Sequence, residues 1–335
     1  MGKFKTTKYL KGFGMGVSLV LFLLATHRAP SRPAISKEKM QAVWLTHIGT
    51  ALLHHSTVLD ETLHHFSRSG YDRVYFSVYG FRGTLYPTSK TATNWLLLPP
   101  FTNPWRAAVR ESRRQGLKPY AWFEFGLMLP PDDPIVKRHP HWILKTTDGK
   151  TIVDNNVWLD PANPAVQEYI LSHMDDILKE KDLEGIQLDD HWAVPRAFGN
   201  RSQAVTNLTR KLYEHIKAKN PQLILSISPN PHSFALQKYN QNWLAWVRQG
   251  IADEIVLQVY RKTPADVAAT VNSSGIRTAS RYVPVGIGLY AGWNGAPFTS
   301  KALQDQIKTV QRQGFGYSLF CWEYVLLRQI AGFIQ

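Results

Sequence analysis

Four acidic side chains stand where short apolar runs of this sequence end. Asp189 and Asp190 close the run "EGIQLDD", Glu124 closes "KPYAWFE", and Glu323 closes "GYSLFCWE". Carboxyl groups are costly to bury, so such positions are seldom occupied for stability alone. Two carboxyl groups can divide the roles of proton donor and of nucleophile or base, and clustered carboxylates can also bind a metal ion. The sequence therefore indicates a catalytic or metal-binding centre.

The runs belong to a pattern in which strand-like and helical segments alternate. Strands are predicted for residues 42–49, 73–80, 118–126, 185–191, 223–230, 254–260, 283–290 and 316–324, and helices near 57–69, 103–115, 164–181, 202–219, 241–249, 264–271 and 300–313. Such alternation favours a parallel sheet, and eight units predict a closed (β/α)8 TIM barrel, here one domain over residues 41–335. No Gly-rich nucleotide motif follows any strand, and we expect no cofactor.

The strand of residues 185–191 decides which aspartate faces the barrel axis. Catalytic side chains of such barrels come from the C-terminal strand ends, and side chains of a strand alternate between its two faces. Ile186 and Leu188 suit the helix-facing side, so Asp189 faces the axis and Asp190 does not. Asp189 is expected to be the nucleophile or to stabilise the transition state. Asp190 is expected to orient the substrate or to modulate the pKa of its neighbour.

The partner of Asp189 is expected to be Glu124 or Glu323. A general acid needs a raised pKa, which burial or a nearby carboxylate supplies. The motif "CWEY" places Glu323 beside an aromatic ring that would desolvate it, which favours Glu323 over Glu124.

Amides and aromatic rings accumulate at the same strand ends. Flat aromatic rings can cover the apolar faces of sugars, and amides hydrogen-bond to hydroxyl groups. With two or more carboxyl groups, this composition favours cleavage of glycosidic bonds. The residues expected to bind substrate are His47, Tyr79, Arg82, Trp122, His191, Trp192, Asn230, Gln258, Tyr260, Trp293 and Trp322.

Two alternatives to a glycosidase stay open. One is a metal-dependent hydrolase or deacetylase that uses His47, Asp189 and His191, although no H-E-x-x-H motif occurs and the favoured prediction includes no metal. The other is a non-catalytic glycan-binding protein on the same scaffold. The histidine pairs at residues 54–55 and 64–65 are expected to be surface or packing residues and not metal ligands, because adjacent side chains on a helix diverge by about 100° and do not readily chelate one ion.

Composition restricts the partners of the protein. The chain of 335 residues has a formal net charge of +14, but the sequence contains no block of five basic residues and no zinc-finger or RNP-like pattern. We therefore expect no nucleic-acid partner, whereas an acidic polymer or an anionic membrane remains compatible. The one cysteine, Cys321, excludes a disulfide within the chain and is expected to be buried.

The N-terminus predicts export. Four lysines precede an apolar run at residues 12–25, which is shorter than the ~20 residues of a membrane span and suits a signal peptide. Residues 1–26 are expected to be a signal peptide or a signal anchor, and residues 27–40 a linker. The protein is then periplasmic, secreted or anchored on the outer face of the inner membrane.

Several longer motifs carry a family resemblance. "AVWLTHIG", "GYDRVYFSVYGFRGTLYP", "GLKPYAWFEFGLMLPP", "VWLDPANPAVQEYI", "EGIQLDDHWAVP" and "VPVGIGL" occur in this order. Together they resemble the glycosyl-hydrolase-like family 10 (the DUF187 group), in particular its cyanobacterial-type members. The resemblance implies an exported TIM-barrel glycosidase that acts on a polysaccharide, such as the glycan strands of peptidoglycan. Glu184 replaces the Asp that usually leads the fourth-strand motif, at the end of the strand away from the predicted site.

Overall fold

The structure is a computed structural model that describes residues 28–81, 83–295 and 297–334. The predicted signal segment and Arg82 lie outside the described residues. Eight parallel strands form a closed barrel, because the first strand pairs with both the second and the last. They are β1 (Gln41–Leu45), β2 (Arg73–Gly80), β3 (Lys118–Phe123), β4 (Gly185–Leu188), β5 (Ile224–Ile227), β6 (Glu254–Gln258), β7 (Val285–Tyr290) and β8 (Gly316–Phe320). The predicted (β/α)8 TIM barrel is confirmed.

Helices lie along the chain between and after the strands, and several begin at a proline or behind a capping side chain. They are α1 (His47–His55), α2 (Leu59–Arg68), α3 (Pro104–Arg114), α4 (Pro134–Arg138), α5 (Pro164–Ile177), α6 (Ser202–Lys219), α7 (His232–Tyr239), α8 (Trp243–Arg248), α9 (Pro264–Ser273), α10 (Ile276–Ala279), α11 (Ser300–Arg312) and α12 (Trp322–Ile334). Among the described residues, no helix has the length and apolarity to cross a membrane.

Most of the predicted strands extend further along the sequence than the strands in the structure do. The difference is largest in the first strand, for which the pattern predicts residues 42–49 and which ends at Leu45, and in the eighth, for which it predicts residues 316–324 and which ends at Phe320. Thr46 then caps α1, because its Oγ1 accepts a hydrogen bond from the Gly49 N–H at 3.0 Å.

Large aromatic side chains fill the barrel interior below the mouth. Trp44, Tyr75, Tyr120 and Trp122 are almost fully buried and form one inner cluster. Trp44 Nε1 donates to Gln187 Oε1 at 2.6 Å, which satisfies the indole N–H inside the core. The interior is therefore a packed core, and the open end of the barrel is left for a site.

A register shift in β2 changes which side chains face inward. The pairing of β2 with β3 skips a residue between Ser77 and Tyr79. A bulge of this kind moves the following side chains to the other face of the strand. Tyr79 consequently stacks on Phe123 and on the His173 ring, with centroid distances of 5.0 Å for each pair, and is buried on the helix side of the barrel.

The predicted linker lies along the outside of the barrel. Ala29 N donates to Asp60 Oδ2 at 2.9 Å, and Arg32 N donates to the carbonyl of Arg114 at 3.0 Å. Ile35 N donates to the carbonyl of Gly116 at 3.1 Å, just before β3. Residues 28–35 are thus tied to α2, α3 and the turn that follows α3.

Candidate active site

Asp189 stands at the end of β4 and faces the barrel axis. The strand ends at Leu188, and the chain then turns, with Trp192 N donating to the Asp189 carbonyl at 3.0 Å. The Asp189 side chain is 5% exposed, and its Oδ1 accepts a hydrogen bond of 2.7 Å from Gln258 Nε2. Gln258 is itself held by a 3.0 Å bond to the carbonyl of Ser228. The carboxyl group is therefore fixed by neighbours from β6 and from the end of β5.

Asp190 also reaches the mouth, because the turn begins at Asp189. Its Oδ2 accepts a hydrogen bond of 2.7 Å from Asn230 Nδ2, and its side chain is partly exposed. Strand alternation would have sent Asp190 to the helix side. The structure instead brings both carboxyl groups to one site.

The ring of His191 lies between the two aspartates. Nδ1 is 3.6 Å from Asp189 Oδ2, and Nε2 is 3.8 Å from Asp190 Oδ1. Nδ1 is also 3.1 Å from the backbone carbonyl of Glu124. His191 thus links the ends of β4 and β3.

Glu124 follows β3 and is surrounded by groups from β1 and β2. The Ser77 hydroxyl donates to Glu124 Oε2 at 2.6 Å, and His47 Nδ1 lies 3.7 Å from the same oxygen. A Cβ on Gly80 would come within 2.7 Å of Glu124 Oε2, so glycine is required for the carboxylate to take this position. Glu124 retains partial exposure at the mouth.

The charges of Asp190 and Glu124 affect the pKa of Asp189. Burial raises the pKa of Asp189 well above its usual value, and the charges of Asp190 and then Glu124 raise it further. The Gln258 amide lowers that pKa, but by less than these causes raise it. The surroundings of Asp189 therefore favour the protonated form of its carboxyl group.

Glu323 sits at the start of α12 and is held against α1. Its Oε1 accepts hydrogen bonds from the Thr46 N–H at 3.1 Å and from the Thr46 hydroxyl at 2.6 Å. Its Oε2 is inaccessible to solvent and has no hydrogen-bond partner among the described residues. Burial and the neighbouring Glu323 carboxylate raise the pKa of the Cys321 thiol, so this buried cysteine stays protonated.

An aromatic wall forms the side of the mouth between β6 and β8. Tyr260 stacks on Phe320 with centroids 5.6 Å apart, and Phe320 stacks on Tyr290 at 6.0 Å. Tyr324 meets Tyr290 edge-on at 5.6 Å. Burial raises the pKa of Tyr260, and the charges of Asp189 and Asp190 raise it further.

The predicted tryptophans are not gathered at this site. Trp122 belongs to the packed interior, and Trp192 is fully buried with its Nε1 donating to Thr209 on α6 at 2.8 Å. Trp322 packs edge-on against Phe66 of α2. Trp293 is exposed on the loop after β7. Trp192 and Trp322 face helices because the chain has already left the strand at their positions, and alternation no longer applies.

The structure brings together His47, Glu124, Asp189, Asp190, His191, Asn230, Gln258 and Tyr260 from the predicted set. Sequence reasoning left Ser77 and Phe320 out of that set. Ser77 could have been found by alternation, because it lies two residues after the inward-facing Tyr75.

Three side chains of the site could bind a metal ion. Asp189, Asp190 and His191 offer ligand atoms that all lie within 4.8 Å of one another. His47, the third ligand of the predicted metal set, contacts Glu124 and Ser77 instead.

Similar proteins include two that are named glycosyl hydrolases. The chain is 21% identical to glycosyl hydrolase DigH of Escherichia coli strain K12, across 70% of this chain and 69% of that protein. It is 20% identical to glycosyl hydrolase YngK of Bacillus subtilis strain 168, across 59% of this chain and 45% of that protein.

Solved structures share the fold. The PgaB (BpsB) glycoside hydrolase domain of Bordetella bronchiseptica superposes with a TM-score of 0.66 at 13% identity, covering 86% of this chain and 95% of that one. The GH36 α-galactosidase AgaA of Geobacillus stearothermophilus gives 0.58 at 12% identity, covering 90% and 42%.

The family assignment rests on the greater part of the chain. The family described as Glycosyl hydrolase-like 10 matches residues 39–206 and 200–307, which include all strands except β8 and all the carboxyl groups of the site except Glu323. This confirms the family that the motifs indicated, while the cyanobacterial type stays a prediction, and the chain belongs to the glycosyl hydrolase-like 10 family.

Proposed function

We propose that the protein is an exported glycoside hydrolase that cleaves O-glycosidic bonds of a polysaccharide with the carboxyl pair Asp189 and Glu124. The observation that carries the proposal is the buried Asp189, whose pKa is raised by burial and by two neighbouring carboxylates at the mouth of a glycosidase-like barrel. Retaining and inverting glycosidases both need one protonated and one ionised carboxyl group. Raising one pKa is how a protein obtains the protonated one.

In this proposal Asp189 is the general acid. It gives its proton to the glycosidic oxygen as the bond to the anomeric carbon breaks, and the Gln258 amide then stabilises the carboxylate that remains. Glu124 acts at the anomeric carbon, either directly or through a water molecule that it deprotonates. The Ser77 hydroxyl holds the Glu124 carboxylate in place for this role. The assignment differs from the sequence-based expectation of Asp189 as nucleophile, because alternation predicts a direction and not a protonation state.

The proposed substrate is a cell-wall polysaccharide such as the glycan strands of peptidoglycan. The aromatic wall of Tyr260, Tyr290 and Phe320 offers flat apolar surface beside the carboxyl pair, which suits sugar rings. The apolar run at residues 12–25 is the support for export. Incubation with peptidoglycan, with and without peptide stems, followed by mass spectrometry of the products tests the substrate. Binding of the strands without any released fragment would favour a non-catalytic glycan-binding protein.

Substrates that differ in their leaving group distinguish the role of Asp189 from that of Glu124. With an activated aryl glycoside, the leaving group needs no protonation, so Asp189→Asn should retain most of its kcat/KM, which reports the steps up to cleavage of the glycosidic bond, on that substrate. On the natural linkage the same variant should lose about 10²- to 10⁴-fold. Glu124→Gln should lose activity on both substrates, because it acts at the anomeric carbon. The reverse pattern would exchange the two roles.

A metal-dependent hydrolase is the second candidate, and the grouping of Asp189, Asp190 and His191 is the observation that favours it. A site of this kind would lose its activity in a chelator and regain it with a divalent cation. Cleavage that is unaffected by prolonged treatment with a chelator would reject the metal route and leave the carboxyl pair.

A further inference from the structure

A cleft opens beside the candidate active site between two long connections. One wall is the loop that joins β2 to α3, and the other is α4 in the segment that joins β3 to α5. The cleft has a volume of about 530 Å³ and is lined by Gly80, Phe81, Thr91, Trp95, Ile135 and Arg138, among others. This volume lies in the range of small-molecule sites, roughly 300–1,000 Å³.

The cleft shares its wall with Glu124. Gly80 lines the cleft, and its α-carbon lies so close to Glu124 that an added Cβ would stand 2.7 Å from Oε2. The next residue, Phe81, meets Phe125 edge-on with centroids 6.5 Å apart, and Phe125 directly follows Glu124. Gly80 therefore borders both the Glu124 carboxylate and the cleft.

The exposure of Trp95 indicates that the cleft binds a ligand. Of the 11 tryptophans, Trp95 and Trp293 are 69% and 73% exposed, and the other nine are buried or half-buried. Both exposed indoles lie on loops that follow the C-terminal ends of strands, β2 and β7. An indole that is kept exposed on such a loop offers a flat apolar face on which a ligand can stack. Trp95 lies in the cleft itself.

Polar groups accompany the indole. The Arg138 guanidinium contacts the backbone carbonyls of Pro134 and Lys90 at 3.4 Å, which leaves it N–H donors for a ligand. Thr91 Oγ1 is shielded from solvent and has no hydrogen-bond partner among the described residues. A flat apolar ring with a few hydrogen-bonding groups is the composition that a pyranose ring with its hydroxyl groups requires.

We propose that this cleft is a subsite for a sugar unit beyond the cleaved linkage, with Trp95 as its stacking platform. The inference rests on the proposed glycosidase function and adds the class of substrate: a chain of several sugars, of which at least one occupies the cleft while another lies at the carboxyl pair. Binding energy gained in the cleft is then available to position the linkage for cleavage.

Chain-length dependence tests the proposal. Peptide-free glycan strands are fractionated into di-, tetra-, hexa- and octasaccharides, and kcat/KM is measured for each. The wild type should prefer the longer chains, and Trp95→Ala should reduce the ratio of kcat/KM for octasaccharide over disaccharide by roughly tenfold, the usual scale of one lost aromatic anchor. Trp95→Phe should keep part of the preference, and Arg138→Ala on the opposite wall should lower it.

Tyr282→Ala is the matched control. This tyrosine is 58% exposed and precedes β7, at the end of the barrel away from the carboxyl groups, so the ratio should not change. Cleavage by Trp95→Ala with the wild-type chain-length preference would overturn the proposal.

A binding experiment separates the cleft from the reaction. The octasaccharide is titrated into Asp189→Asn, with and without Trp95→Ala, and Kd is measured by calorimetry. Weaker binding in the Trp95→Ala background supports the subsite even when the wild type cleaves none of the strands, a result that would count against the proposed function alone. Equal Kd values for the two proteins would reject the subsite.

Discussion

At the residue scale, the site depends on what happens after the last paired residue of β4. Alternation correctly directs Asp189 inward, as its 2.7 Å bond to Gln258 shows. It fails for Asp190, because the turn that begins at Asp189 returns the next side chain to the mouth and to Asn230. A sequence pattern carries the direction of side chains within a strand but not the geometry of the turn that follows. It was therefore unable to show that both carboxyl groups meet.

The raised pKa of Asp189 predicts a cost in stability at neutral pH. The pKa in the unfolded chain is near 3.8, and it is higher in the folded protein. As the pH rises above this value, the unfolded chain releases the proton while the folded protein retains it, so the free energy of unfolding falls. Asn cannot ionise and closely matches the shape of the protonated side chain. Asp189→Asn should therefore be more stable than the wild type by about 1–3 kcal/mol near pH 7, with the difference vanishing towards pH 4.

Urea unfolding at a series of pH values measures this difference. Asp182→Asn is the control, because Asp182 is exposed and precedes β4, at the end of the barrel away from the carboxyl groups, so this change should affect stability little at any pH. A gain for Asp189→Asn that is the same at every pH would show that packing, and not the proton, is responsible.

At the element scale, α1 is positioned by a contact with α12, the last helix of the barrel. Thr46 caps the helix, and Glu323 of α12 accepts hydrogen bonds from both the N–H and the hydroxyl of Thr46. The negative carboxylate beside a helix N-terminus also interacts favourably with the helix dipole. This contact fixes the helix that carries His47 next to Glu124.

Variants of Glu323 distinguish this positioning role from the acid role that the sequence favoured. Glu323→Ala removes the acceptor of two hydrogen bonds and should lower the free energy of unfolding by about 1–3 kcal/mol. Glu323→Gln keeps an acceptor oxygen, should cost less than about 1 kcal/mol, and should retain cleavage within roughly tenfold because Asp189 supplies the proton. Thermal unfolding and kcat of the two variants provide the measurements. A loss of kcat of about a hundredfold or more in Glu323→Gln, without a change in Tm, would make Glu323 the proton donor.

The elements themselves were largely predictable, and their ends were not. The sequence pattern placed β2 at residues 73–80 and α6 at residues 202–219, where the structure has them. It could not show the register shift between Ser77 and Tyr79, because both faces of β2 are buried and no exposed position marks where the alternation changes. The shift turns Tyr79 outward and leaves Gly80 against Glu124, so one irregularity decides which residues line the site.

At the scale of the whole molecule, the two ends of the barrel differ in how their charged groups are paired. The C-terminal end has carboxyl groups that are close to one another and incompletely neutralised. The N-terminal end has a buried ion network in which Arg73 bonds to Glu254 and lies 2.9 Å from Asp72, while the Tyr75 hydroxyl donates to Glu254 at 2.8 Å. These charges are paired and hydrogen-bonded, as buried charges must be. The family's barrel thus separates a stabilising end from a reactive one, as TIM barrels do.

This separation predicts that the ion network affects stability and not catalysis. Arg73→Met leaves Asp72 and Glu254 buried without their cation, and the free energy of unfolding should fall by about 3–5 kcal/mol. The double variant Arg73→Met, Glu254→Gln should recover part of the loss, because it removes one of the two unpaired charges. The control is Arg106→Met, which breaks an exposed ion pair with Glu180 and should cost less than about 1 kcal/mol.

Urea unfolding gives the stabilities, and kcat/KM per folded molecule is measured well below each Tm. The ratio of the variants to the wild type should stay within roughly twofold for kcat/KM, because the network and the carboxyl pair lie at opposite ends of the strands. A large fall in kcat/KM for folded Arg73→Met, restored by the Glu254→Gln change, would instead show that the two ends are coupled through the aromatic core of Trp44, Tyr75 and Tyr120 that lies between them.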